Sequence, residues 1–167
     1  MLRRAAWSDQ FYPGQPARLL KELDKFLAPV PETISAPIGC VAPHAGYIYS
    51  GAIAGAVYAR MELPSRFILL CPNHTGRGAP LSIMSEGEWQ TPLGNARIDS
   101  RLAAQLRKRF HLLSEDFHAH LEEHSLEVQL PFLQKLRPEL EFVPIALGTE
   151  AYDALDRRLL RVADPSP

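Results

Sequence analysis

The stretch Phe67-Ile-Leu-Leu-Cys-Pro-Asn-His74 determines the fold that we expect, because an apolar, β-prone run leads directly to a histidine. A similar run, Ile38 to Ala42, comes immediately before Pro43-His44. We therefore predict strands at Phe67 to Cys71 and at Ile38 to Ala42, each followed by a histidine. The carboxyl ends of parallel strands meet at one edge of a sheet, where α/β proteins bind ligands. The two histidines are expected to lie close together there.

The segments between the apolar runs have helical patterns. Pro16 is favourable in a first helical turn, Asp99 is a good N-cap, and Pro131 should kink or divide a helix. The segment from Ser50 to Met61 is rich in glycine and alanine, which permits close packing on a sheet. Five helices are predicted, with these ranges: Pro16 to near Pro29, Ser50 to Met61, Ser100 to Phe110, Glu122 to Leu136, and Tyr152 to Val162.

Two further strands are predicted, Leu81 to Met84 and Phe142 to Leu147, and a turn near Gly87 is expected to expose Trp89 to Leu93. Strands that alternate with helices predict an α/β fold with a mainly parallel sheet and helices on both faces. A chain of 167 residues is expected to form a single domain, residues 1–167.

The composition excludes several classes of function. The 18 basic and 19 acidic residues leave a net charge of −1, so no overall field favours a nucleic acid or an anionic membrane. No stretch approaches the ~18 consecutive apolar residues of a bilayer span, and the first residues lack the apolar segment of a secretory signal. Cys40 and Cys71 lie in apolar runs without Cys-x-x-Cys spacing, which indicates reduced thiols that pack in the core. We expect a cytoplasmic protein.

Three histidines are candidate site residues. His44 and His74 follow predicted strands, so each is either a metal ligand or a hydrogen-bonded loop histidine, and their equivalent positions favour the ligand interpretation. His124 lies near a predicted helix start, three residues before Glu127 on the same helix face. If His124 turns toward the site, we expect Glu127 to accompany it. The alternative is an exposed pair at the start of the helix.

Other polar and aromatic residues have less specific patterns. Glu122 and Glu123 are favoured by the dipole at the helix start and need have no further role. Tyr47 and Tyr49 either stack on a ligand or, as we favour, pack in the protein. The remaining histidines are predicted to be solvated, and they are His111, His118 and His120.

Five motifs occur in the order and approximate spacing of the MEMO family, whose prokaryotic members are called AmmeMemoRadiSam system protein B. They are Phe-Tyr-Pro at 11–13, Pro-His-Ala-Gly-Tyr at 43–47, Pro-Asn-His at 72–74, Thr-Pro-Leu-Gly at 91–94, and Glu-His-Ser-Leu-Glu-Val-Gln-Leu-Pro-Phe at 123–132. The chain resembles this family along nearly its whole length. It departs from some members at Leu121, where those members have an acidic residue.

The resemblance implies a fold similar to the LigB-type class III extradiol dioxygenases, in which two histidines and one further ligand hold a nonheme iron. It implies that His44 and His74 bind the metal, either Fe(II) or copper, and that His124 is a catalytic acid–base group. The family's remaining metal-site residue is a cysteine in a C-terminal part beyond Pro167. The chain is therefore expected to lack that part of the fold.

Two functions follow from the resemblance. The first is a nonheme-iron, dioxygenase-like oxidoreductase that acts on a small-molecule ligand. The second is a non-catalytic scaffold that holds a peptide or protein partner in the same pocket, with radical SAM and AMMECR-like proteins as the implied partners. Metal-assisted hydrolysis is a third, weaker interpretation.

Overall fold

The computed structural model describes residues 1–29, 33–35 and 37–149, and the helix predicted at Tyr152 to Val162 lies outside them. The strands are β1 (Leu2–Arg3), β2 (Arg66–Pro72), β3 (Leu81–Ile83), β4 (Glu88–Thr91), β5 (Gly94–Ile98), β6 (Ser114–Glu115) and β7 (Glu141–Leu147). The helices are α1 (Pro16–Phe26), α2 (Tyr47–Ala59), α3 (Ser100–Arg109), α4 (His118–Leu121), α5 (His124–Glu127) and α6 (Leu130–Leu136).

The described strands form one sheet around β7. On one side, β2 runs parallel to β7 along its whole length, from Arg66 opposite Glu141 to Pro72 opposite Leu147. On the other side, β5 is parallel to the start of β7, and β3 is antiparallel to its end. The outer strands extend this sheet, since β4 joins β5 to β1, and β6 pairs in parallel with β3. Most of these pairings are parallel, as predicted.

Alternate side chains of β7 enter two cores, one on each face of the sheet. Phe142 and Ala146 belong to the larger core, which also holds the buried residues of α1, α2, α5 and α6. Val143 and Ile145 belong to a smaller core with Ala103 of α3. Helices thus cover both faces, and the predicted α/β class is confirmed.

The prediction of a strand at Ile38 to Ala42 is wrong, because these residues form no strand. A strand needs a hydrogen-bonded neighbour, and this segment has none among the described residues. Ile38 is fully exposed and Val41 almost fully exposed, with relative exposures of 109% and 93%. The apolar sequence was therefore not sufficient to predict a strand, because most of this run is exposed and only Ala42 packs against the core.

The expected exposure of Trp89 to Leu93 is also wrong. This segment belongs to the β4–β5 hairpin, in which Trp89 pairs with Ala96 and is completely buried. The Arg3 guanidinium lies 4.2 Å from the centre of the Trp89 ring. The hairpin turns at Pro92 and Leu93, and Gly94, which follows them, has a φ of +115° that favours glycine.

The helices have the caps and proline positions predicted from the sequence. The packing of α2 differs from the prediction. The Asp99 side chain caps α3 by accepting a hydrogen bond from the backbone N–H of Leu102 over 2.8 Å. The pattern from 122 to 136 divides into α5 and α6, with Pro131 in the first turn of α6. The glycine-rich helix α2 packs on α1 rather than directly on the sheet, and a Cβ at Gly55 would lie 2.3 Å from the Phe26 carbonyl oxygen.

Candidate metal centre

The structure brings the three candidate histidines together. His44 lies in the loop before α2, His74 follows β2, and His124 is the first residue of α5. Their ligand nitrogens all lie within 4.8 Å of one another. The centroid of the His74 ring lies 5.2 Å from that of His44 and 4.5 Å from that of His124. A cluster of three imidazoles therefore forms at the carboxyl end of β2.

The loop that carries His44 is held by neighbouring elements rather than by a preceding strand. The Gln129 side-chain amide donates a hydrogen bond to the Pro43 carbonyl over 3.0 Å. On the other side of the histidine, the backbone N–H of Tyr47 donates to the Phe11 carbonyl over 2.7 Å. The ring of His44 thus reaches the site although the expected strand is absent.

Glu123, the N-cap of α5, binds His74 at two points. Its Oε1 accepts a hydrogen bond from His74 Nδ1 over 2.8 Å, and its Oε2 accepts one from the His74 backbone N–H over 2.6 Å. The backbone N–H of Ser125 also donates to Oε1, over 2.9 Å. Glu123 is completely buried, so these donors replace the water that its carboxylate loses on folding.

The site combines depressed imidazole pKa values with an ionised carboxylate. Burial lowers the pKa of His44, and the neighbouring His74 lowers it further. Burial also lowers the pKa of His124, although Glu123 acts in the opposite direction. Burial raises the pKa of Glu123, but the hydrogen bonds from His74 and Ser125 outweigh burial and lower it overall. Near neutral pH, His44 and His124 therefore have lone pairs for a cation or a proton.

Glu127 does not accompany His124 into the site, so this expectation is wrong. Its buried carboxylate accepts hydrogen bonds from Arg3 and from the Tyr12 hydroxyl, each over 2.5 Å. Burial, with the adjacent Glu127, raises the pKa of Tyr12 and keeps its hydroxyl protonated. The carboxylate at the site is instead Glu123, which we expected only to favour the helix dipole. The sequence shows that Glu127 lies three residues after His124. It does not show which residue pairs with Glu127, because the partner, Arg3, is 124 positions away.

Two aromatic rings pack against His124. The ring centroid of Phe11 lies 4.7 Å from that of His124, and the Trp7 ring lies 5.7 Å away. Neither residue was predicted at the site, although Phe11 belongs to the Phe-Tyr-Pro motif. Tyr47 is buried, as expected for packing, whereas Tyr49 is exposed and packs little.

The three remaining histidines differ in exposure. His111 and His118 are exposed, as predicted, but His120 is completely buried, so its predicted solvation is wrong. Neither ring nitrogen of His120 has a hydrogen-bond partner among the described residues. Burial, together with the charge of Arg3, lowers the pKa of His120 to about 4. The sequence around His120 does not indicate that this residue is buried, because the Trp89 ring that contacts His120 belongs to the distant β4–β5 hairpin.

An open groove of about 510 Å³ lies between β2 and the segment around Ile38, and His44 is among the residues that line it. Both cysteines also contribute to this groove. Cys71 is buried, as predicted, and burial raises its pKa to about 12. Cys40 is exposed, so its predicted core position is wrong, because the segment that carries it forms no strand.

The donor set of the cluster suits a transition-metal ion. Imidazole nitrogens bind iron, copper, zinc and nickel. Metal–nitrogen bonds of about 2.1 Å place neighbouring ligands roughly 3.0–3.4 Å apart, whereas these nitrogens lie within 4.8 Å of one another. A modest inward rotation of the rings would therefore produce the required spacing.

The fold and the cluster define an α/β protein with a three-histidine candidate metal centre. A family model described as Memo-like protein matches residues 3–159. The chain belongs to the Memo-like family, and the family membership expected from the motifs is confirmed.

Several curated relatives are similar to the chain over most of its length, and each is called a MEMO1 family protein. The relative from Methanobrevibacter smithii is 40% identical over 92% of this chain and 60% of its own length. That from Aquifex aeolicus is 42% identical over 91% of the chain and 57% of its own length. That from Pyrococcus furiosus is 41% identical over 90% and 54%. The chain thus spans little more than half the length of these relatives.

No helix within the described residues combines the length and apolar character needed to cross a membrane.

Proposed function

We propose that this chain binds a transition-metal ion, Fe(II) or copper, through His44 and His74, with His124 as an acid–base group beside the ion. The observation that carries this proposal is the convergence of the three imidazoles within 4.8 Å. The lowered pKa values of His44 and His124 support it, because a metal ligand and a proton acceptor both need a neutral ring.

The reaction class that best fits this donor set is that of a nonheme-iron oxidoreductase related to the extradiol dioxygenases. When bound, Fe(II) with open coordination positions supplies the redox centre for chemistry with O2. The chain's own residues would bind the ion and orient the ligand. His124, packed between the ring of Phe11 and the ring of His74, is positioned to take a proton from a hydroxyl of a bound ligand.

Metal analysis after anaerobic purification tests this proposal. We expect wild-type protein to take up close to one equivalent of Fe(II), and His44→Ala and His74→Ala to abolish uptake. His118→Ala is the matched control, because His118 is exposed and outside the cluster. Absence of uptake in wild type, or uptake unchanged by the two site substitutions, would contradict the proposal. Parallel titrations with copper decide between the two metals.

His124→Ala separates the two roles open to the third imidazole. If His124 acts on protons, the variant keeps the metal stoichiometry of wild type but loses turnover of an oxygenated ligand. If His124 is a third ligand, the variant also loses metal. The second outcome would contradict the acid–base role while leaving the metal centre in place.

A scaffold function is the second candidate, and the exposed apolar groove favours it. Ile68 and Leu70 of β2 are 46% and 65% exposed and line the groove together with Ile38. Exposed apolar residues around a groove are typical of surfaces that bind a polypeptide. Radical SAM and AMMECR-like proteins are the partners to test, by titration with each purified protein. Leu70→Ser should weaken such binding, whereas Ile53→Ser, at an exposed position on α2 outside the groove, should not.

A further inference from the structure

We infer that Glu123 is a positioning residue, whose carboxylate holds His74 as the Nδ1–H tautomer and so keeps its Nε2 lone pair free for a ligand. This inference rests on the proposed function in one respect: the effect of Glu123 on metal affinity requires that the chain binds a metal. The tautomer itself can be measured without any metal.

The geometry gives one carboxylate control of both the ring and the backbone of His74. Oε1 lies 2.8 Å from Nδ1 of the ring, and Oε2 lies 2.6 Å from the backbone nitrogen of the same residue. A carboxylate can only accept at these distances, so the ring nitrogen that faces it must carry the hydrogen. The two contacts together restrict rotation of the ring about its side-chain bonds.

An amide cannot replace this carboxylate without loss. Glu123 accepts three hydrogen bonds, two at Oε1 from His74 Nδ1 and Ser125 N–H, and one at Oε2 from His74 N–H. A glutamine has a single acceptor oxygen, so its NH2 group must face a donor at one of these positions. If the NH2 faces Nδ1, it donates to the ring and forces the hydrogen onto Nε2, the nitrogen needed by a metal.

The other two histidines provide internal comparisons. His124 Nδ1 lies 3.5 Å from Glu123 Oε1, which is too long for a strong hydrogen bond. The ring of His44 is not among the three donors from which Glu123 accepts. Removal of Glu123 should therefore affect His74 most, His124 less and His44 least.

Such a carboxylate acts on a metal through the histidine. A carboxylate that accepts from the distal ring nitrogen orients the imidazole and raises the basicity of the ligating nitrogen. Loss of such a partner typically lowers metal affinity by about 10–100-fold. The buried position of Glu123 strengthens this effect, because a hydrogen bond is electrostatically stronger where the local dielectric is low.

The direct test is ¹⁵N NMR of the histidine rings in metal-free protein, at a pH about two units above the ordinary imidazole pKa. We expect wild-type His74 to show a protonated Nδ1 and an unprotonated Nε2. In Glu123→Gln this population should fall, because one of the two amide orientations places an NH2 group against Nδ1, and His44 should change little. Glu122→Gln is the matched control, because it removes the same charge one residue away at an exposed position.

Two NMR outcomes would overturn the inference: an Nε2–H tautomer at His74 in wild type, or the wild-type tautomer population retained in both Glu123→Gln and Glu123→Asp. If Glu123→Gln does not fold, Glu123→Asp alone decides. The aspartate keeps the charge but is shorter by one methylene group, so it should release Nδ1 to a similar extent. An unchanged tautomer in the aspartate variant would in that case overturn the inference by itself.

Metal titration then measures the consequence. Relative to wild type, Glu123→Gln should bind Fe(II) about 10–100-fold more weakly, and Glu122→Gln should lie within about twofold. If wild type binds no metal but shows the expected tautomer, the proposed function fails and the positioning of His74 remains. If wild type binds metal but Glu123→Gln binds it equally well, the positioning role fails and the proposed function remains.

Discussion

The short helix α5 separates two regions that contain the same buried group in different surroundings. Glu123 at its start and Glu127 at its end are both completely buried carboxylates. Glu127 meets the full positive charge of Arg3 and the hydroxyl of Tyr12, in addition to the backbone N–H groups of Ala6 and Trp7. Glu123 meets backbone N–H groups and the ring of His74, whose side chain is 43% exposed. A carboxylate matched by a buried cation is fully occupied by the fold, whereas one matched by an exposed imidazole can act on a ligand site.

The Arg3 region joins the first strand to the elements around the site. The Arg3 side chain donates to Glu127 and to the backbone carbonyls of His120 and Glu123, and it lies over the Trp89 ring. All of these partners are more than 80 positions away in sequence. This region therefore holds α4 and α5 against β1 and the hairpin, while the histidine cluster lies on the side of α5 that Glu123 faces.

The largest expected effect comes from Glu127→Gln. Loss of one partner of a buried ion pair leaves the other charge uncompensated and costs about 3–5 kcal/mol of unfolding free energy. We expect a loss of this size in urea denaturation followed by circular dichroism. A loss below about 1 kcal/mol would show that Arg3 is satisfied without Glu127 and would break the comparison.

The double variant Arg3→Met with Glu127→Met is the control for this interpretation. Replacement of a buried ion pair by apolar residues is often neutral or stabilising, because neither charge is left unpaired. We expect the double variant to recover only part of the stability lost in Glu127→Gln, because Tyr12 and the backbone N–H groups of Ala6 and Trp7 lose their acceptor. Failure to recover would assign the loss to the other hydrogen bonds of Glu127 rather than to the charge of Arg3.

His120 gives the next largest effect, as a dependence of stability on pH. Its pKa of about 4 in the folded protein is below its usual value of 6.5, so the unfolded chain binds the proton more readily. This residue therefore contributes stability above pH 6.5 that is lost as the pH falls toward 4. The expected loss is about 3 kcal/mol, from ~1.4 kcal/mol per pH unit.

Replacement of His120 by leucine tests this dependence. The unfolding free energy of His120→Leu should fall less than that of wild type between pH 6.5 and 4, whereas His118→Leu, at an exposed position, should follow wild type. The comparison between variants removes the contribution of the carboxyl groups, which titrate in both. Identical slopes for His120→Leu and wild type would show that the His120 ring is not held neutral.

Tyr12→Phe removes one hydrogen bond to Glu127 but leaves the ion pair intact. Because the acceptor is charged, we expect a loss of about 1.5–3 kcal/mol. Tyr49→Phe, at an exposed ring, is the control and should change the unfolding free energy very little. A loss equal to that of Glu127→Gln would indicate that the two groups act as one unit.

Local patterns predicted the fold class and the meeting of His44 and His74, whereas the place of His124 beside them followed from the family resemblance. Apolar runs and proline positions locate β2, β7, α1 and α6. His74 is placed directly by the end of β2. His44 reaches the same place by a different route, since its loop is held by Gln129 and Phe11 and not by a strand.

The roles of the two glutamates were not predictable from the sequence, for physical reasons. Helical spacing fixes which residues share a face, but it does not fix which partner a buried carboxylate meets. The partner of Glu127 is supplied by Arg3, from the other end of the described chain. The partner of Glu123 is supplied by the loop after β2. Both contacts are long-range, so no local pattern contains them.

The smallest expected effect comes from Glu122→Gln, which tests whether burial underlies the comparison. Glu122 pairs with Arg77 over 2.6 Å, a distance similar to that of the Arg3–Glu127 pair, but both side chains are more than half exposed. Exposed ion pairs contribute about 0–1 kcal/mol because water screens them. We expect Glu122→Gln to change the unfolding free energy by less than about 0.5 kcal/mol, and added salt to remove the difference. A change in unfolding free energy close to that of Glu127→Gln would contradict this interpretation. It would mean that the net charge near α5, rather than the burial of the carboxylate, determines the cost of each substitution.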